Sequence, residues 1–129
     1  VNHDNDNHTG LRFLSVCSGI EAASCAWPQW QAVAFSEIEK FPSAVLAHHY
    51  PDVPNLGDFT KIDTSKLGRV DILCGGTPCQ AFSVAGLRRS LDDARGNLSL
   101  AFVELAHALS KGNGLRNAVW ENVVGVLST

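Results

Sequence analysis

Residues 11–37 read LRFLSVCSGIEAASCAWPQWQAVAFSE, and the order of elements in this stretch decides the fold class. Leu11 to Val16 is a nearly unbroken apolar run, the pattern of a strand buried on both faces. Cys17-Ser18-Gly19 is a turn of small residues. Ile20 to Ala26 is rich in Ala and predicts a short helix that stops before Pro28. Gln31 to Ser36 places Ala32, Ala34 and Phe35 in a second strand that ends at Glu37. Strand, turn, helix and strand in immediate succession predict two parallel strands joined by a crossover.

The same alternation continues outward. Phe41 to His49 predicts a helix, with Pro42 tolerated in its first turn, and Pro51 to Pro54 breaks it. Asn55 to Asp58 is at most a short third strand. Val70 to Cys74 is an apolar fourth strand after the Gly68 turn. A long loop is expected from Gly75 to Gly96. Leu98 to Leu109 carries apolar residues at 98, 102, 105, 106 and 109, a helical period, and Gly112 and Gly114 stop it. Ala118 to Trp120 is a fifth strand that runs into Glu121-Asn122. The whole predicts an α/β fold with a parallel sheet and right-handed crossovers.

Composition narrows the function classes. The chain has 129 residues, enough for one small domain, and 45% are hydrophobic, enough for an apolar core. No apolar run approaches the ~20 residues of a membrane span, so no membrane partner is expected. Val1 to Gly10 is polar, lacks the apolar stretch of a secretory signal, and is read as a disordered lead-in to a domain over residues 11–129. The net charge of −3 argues against a self-sufficient nucleic-acid binder, which needs a basic face. The four cysteines, Cys17, Cys25, Cys74 and Cys79, have no zinc-site spacing. Reduced thiols in a cytoplasm are the expectation, with Cys25 and Cys74 as core thiols and no metal site. His48 and His49 fall at a helix end, where cations suit the dipole. His107 is expected on the surface of the long helix, and Trp27, Trp30 and Trp120 are expected to pack rather than stack on bases.

Ligands of open parallel sheets bind beyond the carboxyl ends of the strands. The groups falling there are Ser18, Gly19 and Glu21 after strand one, Glu37 after strand two and Asp58 after the weak third. Gly75-Gly76-Thr77-Pro78-Cys79-Gln80 follows strand four, and Glu121-Asn122 follows strand five. Gly19 lets backbone approach a ligand, and an acid roughly twenty residues later commonly accepts hydrogen bonds from a ribose diol. A tight turn and a solvated Glu would read the same way. Pro78 fixes the backbone just before the Cys79 thiol, a nucleophile suited to a soft carbon electrophile. If the strands before Cys79 and Glu121 are neighbours, about 4.8 Å apart, thiolate and carboxyl can face one pocket as nucleophile and general acid. A lone cysteine is otherwise a small buried hydrophobe.

The stretch Gly76-Thr77-Pro78-Cys79-Gln80-Ala81-Phe82-Ser83, with Gly86 and Asp93-Ala94-Arg95-Gly96-Asn97-Leu98, resembles the catalytic Pro-Cys motif of DNA (cytosine-5) methyltransferases. Phe13 to Gly19 resembles that family's first cofactor motif, Ser36-Glu37-Ile38 its ribose motif, Gly57-Asp58-Phe59 its adenine motif and Glu121-Asn122-Val123 its Glu-Asn-Val motif. The resemblance covers residues 11 to 127. It implies a Rossmann-like methyltransferase fold, cut short after the fifth strand, with S-adenosyl-L-methionine as methyl donor. Cys17, Ser18, Gly19, Glu37, Ile38, Asp58, Phe59 and Pro78 would line the donor site, with Glu37 on the ribose and Asp58 on the adenine amino group. It further implies that a flipped cytosine in DNA is attacked at carbon 6 by Cys79, that Glu121 contacts ring N3, and that Asn122 positions Glu121 or the Cys79 loop. Gln80, Ser83, Arg88, Arg89 and Arg95 would meet DNA from a mobile loop hinged at Gly86 and Gly96, although three Arg in a loop also fit ordinary surface charge.

The chain departs from the family pattern at several positions. Cys17 stands at the usual Phe, Glu21 and Ala22 at usual glycines, and Ile38 where many members carry an aromatic residue. The later family motifs and the target-recognition region do not occur in these residues. A C-terminal segment or partner is therefore an expected requirement for activity, in the cytoplasm of a bacterial or phage-infected cell. The alternative is an inactive S-adenosylmethionine-binding fragment or split subunit.

Overall fold

A computed structural model describes residues 10–19, 21–76 and 94–121, with the side chains of 94–97 left out of the description. Four parallel strands form the sheet among these residues: β1 (Arg12–Val16), β2 (Gln31–Ser36), β3 (Ile72–Gly75) and β4 (Asn117–Trp120). The helices are α1 (Ala22–Ala26), α2 (Lys40–His49) and α3 (Ala94–Gly112), with two short 3-10 turns, Phe59–Lys61 and Thr64–Lys66, between α2 and β3. The strand order is β2-β1-β3-β4. The chain steps from β1 to one side and then returns to its other side at β3. That reversal opens a crevice beyond the carboxyl ends of β1 and β3.

The apolar run of β1 is buried because both of its faces are covered. Leu14 and Val16 point to a core shared with Leu73, Phe59, Val70 and the α3 stripe Phe102, Leu105 and Leu109. Phe13 points the other way, with Ile72 and Cys74, against Ala23, Trp27 and Trp30. Trp27 packs on Trp30 with ring centres 4.7 Å apart, and Trp120 stacks on Phe102 at 6.1 Å, so all three tryptophans pack against neighbouring rings. The far end of the sheet is pinned by Asp71, which accepts from the Arg12 N–H at 2.9 Å and pairs with Arg69 at 3.2 Å. His48 and His49 end α2, and His107 is exposed on α3.

Three expectations need correction. Asn55 to Asp58 is not a strand among the described residues but a single bridge, Phe35 to Asn55. Pro54 has no N–H to continue a ladder, and Gly57 turns away at φ +74. The loop expected to reach Gly96 ends earlier, because α3 begins at Ala94. Asp93 is a residue type that starts helices, and the long apolar stripe that follows outweighs one Gly. Cys25 is exposed rather than a core thiol, since α1 is one turn and a half long and presents Ala23 to the core instead. Cys74 is buried as expected. Apart from Gly10, the expected lead-in lies outside the described residues.

Candidate functional site

The turn after β1 is built on left-handed backbone. Cys17, Gly19 and Glu21 have φ of 50, 56 and 67. Only Gly adopts this region without a steric penalty, so the tertiary contacts of the turn must hold the other two. Ser18 donates its hydroxyl to the Ser15 carbonyl at 2.9 Å and its N–H to the Ser36 carbonyl at 3.2 Å. The Gly19 N–H donates to Glu37 Oε1 at 2.8 Å, and the Glu39 N–H to Glu37 Oε2 at 2.8 Å. Glu37 is buried, 9% exposed, with its carboxylate clamped between the turns after β1 and β2.

Sequence reasoning did not single out Asn55, which completes this clamp. Its Oδ1 accepts from the N–H of Glu37 and of Gly57, both at 3.0 Å, and its Nδ2 donates to the Glu37 carbonyl at 3.2 Å. The available signal was a side-chain amide two residues before a Gly, a common turn arrangement.

Beyond this clamp lies a cavity of about 320 Å³ whose wall includes Cys17, Glu37, Ile38, Asp58, Phe59 and Leu98. Thus five of the predicted donor-site residues come together from three separate turns. Ile38 is 73% exposed, a large apolar side chain at the mouth, whereas Phe59 is 6% exposed and reaches the cavity from the core. The Thr60 hydroxyl at 2.7 Å and N–H at 2.9 Å both bond Asp58 Oδ1 and hold its carboxyl below the usual carboxylate value. Among the described residues Oδ2 takes no hydrogen bond. Burial, then the charges of Glu37 and Asp58, push the Cys17 thiol up to about 11, so it is a neutral wall rather than a nucleophile.

Cys17 also borders a second cavity, of about 260 Å³, with Ser15, Ser18, Ala22, Gly76 and Glu121 in its wall. β3 and β4 are paired, Gly75 opposite Trp120, and the Glu121 N–H extends the ladder to the Gly75 carbonyl at 2.9 Å. Glu121 overlies Gly76: a β-carbon there would sit 3.6 Å from Glu121 Oε2. Gly75 is needed for close approach, because a β-carbon would meet Val16 Cγ2 at 2.6 Å and the Val16 carbonyl oxygen at 2.7 Å. Pro78, Cys79, Gln80, Ser83, Arg88, Arg89 and Asn122 lie outside the described residues, and for Arg95 the backbone alone, in α3, is described.

The family model of C-5 cytosine-specific DNA methylases matches residues 11–128. The chain belongs to this family. Its members use S-adenosyl-L-methionine as methyl donor. It is similar to a protein of Escherichia phage P1 named DNA N-6-adenine-methyltransferase, 55% identical over 92% of this chain and 17% of that protein. It is also similar to the orphan methyltransferase M.Rho11sI of Bacillus phage rho11s, 39% identical over 92% of this chain and 24% of the relative. The type II methyltransferase M.NgoBV of Neisseria gonorrhoeae is 35% identical over 92% of this chain and 29% of its own length. The chain thus spans between about a sixth and three tenths of the length of these curated relatives. The turns after β1 and β2 and the Gly57-Asp58-Phe59 turn meet at the carboxyl edge of the sheet. No helix among the described residues is long and apolar enough to cross a membrane.

Proposed function

We propose that this chain carries the methyl-donor site and the attacking thiol of an enzyme that methylates carbon 5 of cytosine in DNA. The observation that carries the reading is the overlap of Glu121 with Gly76 at the edge of a cavity that shares Cys17 with the Glu37 cavity. Cys79 follows Gly76 by three residues, and three residues of chain reach at most about 11 Å. This reach supports the reading that the Glu121 carboxyl and the Cys79 thiol serve one cytosine ring.

The residues present fit S-adenosyl-L-methionine. Glu37 is a buried carboxylate whose oxygens each take one N–H and keep a lone pair for a ribose hydroxyl. Asp58 offers Oδ2 to an adenine amino group, and Ile38 offers an apolar surface to its ring. Ser18 and Gly19 bring backbone to the same edge, and the resemblance assigns Pro78 to the same donor site. When bound, this cofactor supplies an electrophilic methyl group.

The chain's own groups prepare the base. The Cys79 sulfur bonds to ring carbon 6 of a base flipped out of the duplex, which raises electron density at carbon 5. Glu121 holds a proton at ring N3 and offsets the charge that this addition creates. Once carbon 5 carries the methyl group, its proton passes to a water molecule, the freed electron pair re-forms the carbon 5–carbon 6 double bond, and the Cys79 thiolate leaves. Asn122 fixes Glu121 or the Cys79 loop, while Gln80, Ser83, Arg88, Arg89 and Arg95 contact DNA together with a C-terminal recognition region.

A second reading, transfer to the exocyclic nitrogen of adenine, draws on the name of the phage P1 relative. The matched part is 17% of that protein, so the name covers much that this chain does not resemble. An exocyclic amine also needs no thiol nucleophile. Mass spectrometry of digested DNA after reaction with the full-length protein separates the two readings. 5-Methylcytosine, lost in Cys79→Ala, and a covalent adduct with 5-fluorocytosine DNA are expected. N6-methyladenine alone, or activity retained in Cys79→Ala, would overturn the proposal.

A further inference from the structure

The turn after β1 is strained, and Glu21 closes it. Cys17 and Glu21 both have left-handed backbone, at φ of 50 and 67, a region that penalises any residue with a β-carbon. The Glu21 N–H bonds the Ser18 carbonyl at 2.9 Å. Its Oε1 accepts from the Ser24 N–H at 3.0 Å and the Ser24 hydroxyl at 3.3 Å, in the first turn of α1. The Ser15 hydroxyl of β1 lies beside the same carboxyl. One side chain thus ties the strand before the turn to the helix after it. The turn so secured presents the Gly19 N–H to Glu37 Oε1 at 2.8 Å, and Glu37 is in the wall of the donor cavity.

The surroundings of this carboxyl suit a proton better than a charge. Glu21 is 1% exposed, and its Oε2 is out of reach of solvent. Among the described residues no cation forms an ion pair with it. It faces the Ser15 hydroxyl from β1 and that of Ser24 from α1. From β3 the Cys74 thiol feels its charge, and from the end of α2 the Tyr50 phenol does. Thiol and phenol are themselves raised, Cys74 to about 11 and Tyr50 above 10.0, so both stay neutral near pH ~7. Cys25, 3.8 Å from the phenol oxygen, and His49, with ring centres 6.4 Å apart, adjoin Tyr50 and are exposed. Burial raises the Glu21 pKa above its usual 4.5, against the lowering by Ser15 and Ser24. A carboxylate here has no countercharge. A carboxylic acid keeps Oε1 as the acceptor for Ser24 and gains an O–H on the other oxygen.

We propose that Glu21 is a positioning residue for the methyl donor, a carboxyl that must take up a proton before the turn after β1 closes into its donor-binding shape. Ionised, it reaches water only by opening the turn, and Gly19 then leaves Glu37. Closing the turn, taking a proton from solvent and binding the donor are therefore linked equilibria. The sign follows from the direction of the shift. The closed turn is fully favoured below the ordinary value of 4.5 and is lost as pH rises through the raised value in the fold. This rests on the cofactor reading above, but it requires no contact between Glu21 and the ligand.

The test is calorimetry of S-adenosylhomocysteine binding to the full-length protein, from about pH 5 to about pH 8, in two buffers of different ionisation enthalpy. It reads affinity and protons exchanged together. Wild type should take up a proton on binding, to a limit of about one per site, and should lose affinity by as much as about tenfold per pH unit where it does so. Glu21→Gln keeps the size, an acceptor for Ser24 and a donor toward Ser15, but it cannot ionise. It should hold the affinity that wild type shows at the acid end, with the proton uptake and the pH slope of Glu21 gone. Exposed groups such as His49 titrate alike in both proteins and cancel in the comparison. Wild type that binds with no proton uptake across this range overturns the proposal whether or not the variant folds. A Glu21→Gln protein whose uptake and slope match wild type, or whose affinity is low at every pH, overturns it as well. Failure of wild type to bind S-adenosylhomocysteine at any pH instead removes the cofactor reading itself.

Discussion

Replacing Gly75 by Ala adds one methyl group at the narrowest point between β1 and β3, and the structure fixes what it would strike. The β-carbon would lie 2.6 Å from Val16 Cγ2, 2.7 Å from the Val16 carbonyl oxygen and 3.2 Å from Phe102 Cε2. Side-chain rotation can relieve the first contact, but the second is backbone of the central strand and the third a ring in the core. Overpacking of this kind costs about 1–3 kcal/mol, and the backbone contact places Gly75→Ala in the upper half of that range, about 2–3 kcal/mol. For a domain near 100 residues, 1 kcal/mol lowers Tm by roughly 4–8 °C, so a drop on the order of 10 °C or more is expected. Gly76→Ala is the control. Its nearest contacts are at 3.6 Å, ordinary van der Waals distance, and its cost should stay within ~0.5 kcal/mol. Urea unfolding followed by circular dichroism measures both. Because the Val16 carbonyl leads into the Cys17 turn, Gly75→Ala should also weaken S-adenosylhomocysteine. A Gly75→Ala protein as stable as wild type, or an equal loss in Gly76→Ala, would refute the claim that glycine serves strand packing at 75 and not at 76.

Glu37→Gln should raise the Kd for S-adenosylhomocysteine about tenfold or more, because it removes the charge at the ribose and one acceptor for the N–H groups of Gly19 and Glu39. Calorimetry measures this loss, and unchanged binding would remove Glu37 from the site. Cys17 and Cys74 both titrate at about 11 in the fold against an ordinary value of 9.0, raised first by burial. The folded state therefore holds these protons more tightly than the unfolded chain does. Their contribution to stability is complete below pH 9 and is lost as pH rises to 11. Urea midpoints should fall across that window, and less so in the Cys17→Ser, Cys74→Ser double variant. A fall that is the same in both proteins would assign the loss to other groups.

Much of the fold is legible in local pattern. The apolar run before Cys17 and the alternation around Phe35 mark β1 and β2, because a strand buried on both faces and one at a sheet edge bury different sets of side chains. The stripe from Leu98 to Leu109 marks α3, since its residues recur at the helical period. Asn55 to Asp58 misled because a short run between turn residues carries no period, and Pro54 settles the matter through a missing donor. Cys25 misled because a thiol alone does not say which face of a short helix it lies on.

The candidate site divides in the same way. The residue types at the strand ends, Ser18, Gly19, Glu37, Asp58 and Glu121, can be picked out in advance, because polar groups directly after apolar strands have nowhere to go but the sheet edge. That Glu37 is gripped by Gly19, Glu39 and Asn55, that Gly75 is pressed on Val16, and that Glu21 is buried at the start of α1 could not be read from order alone. Sequence determines what each turn can offer. The strand order β2-β1-β3-β4 determines which turns meet, and it is set by the burial of both faces of β1 against residues far away in the chain, a long-range packing choice that no local pattern encodes.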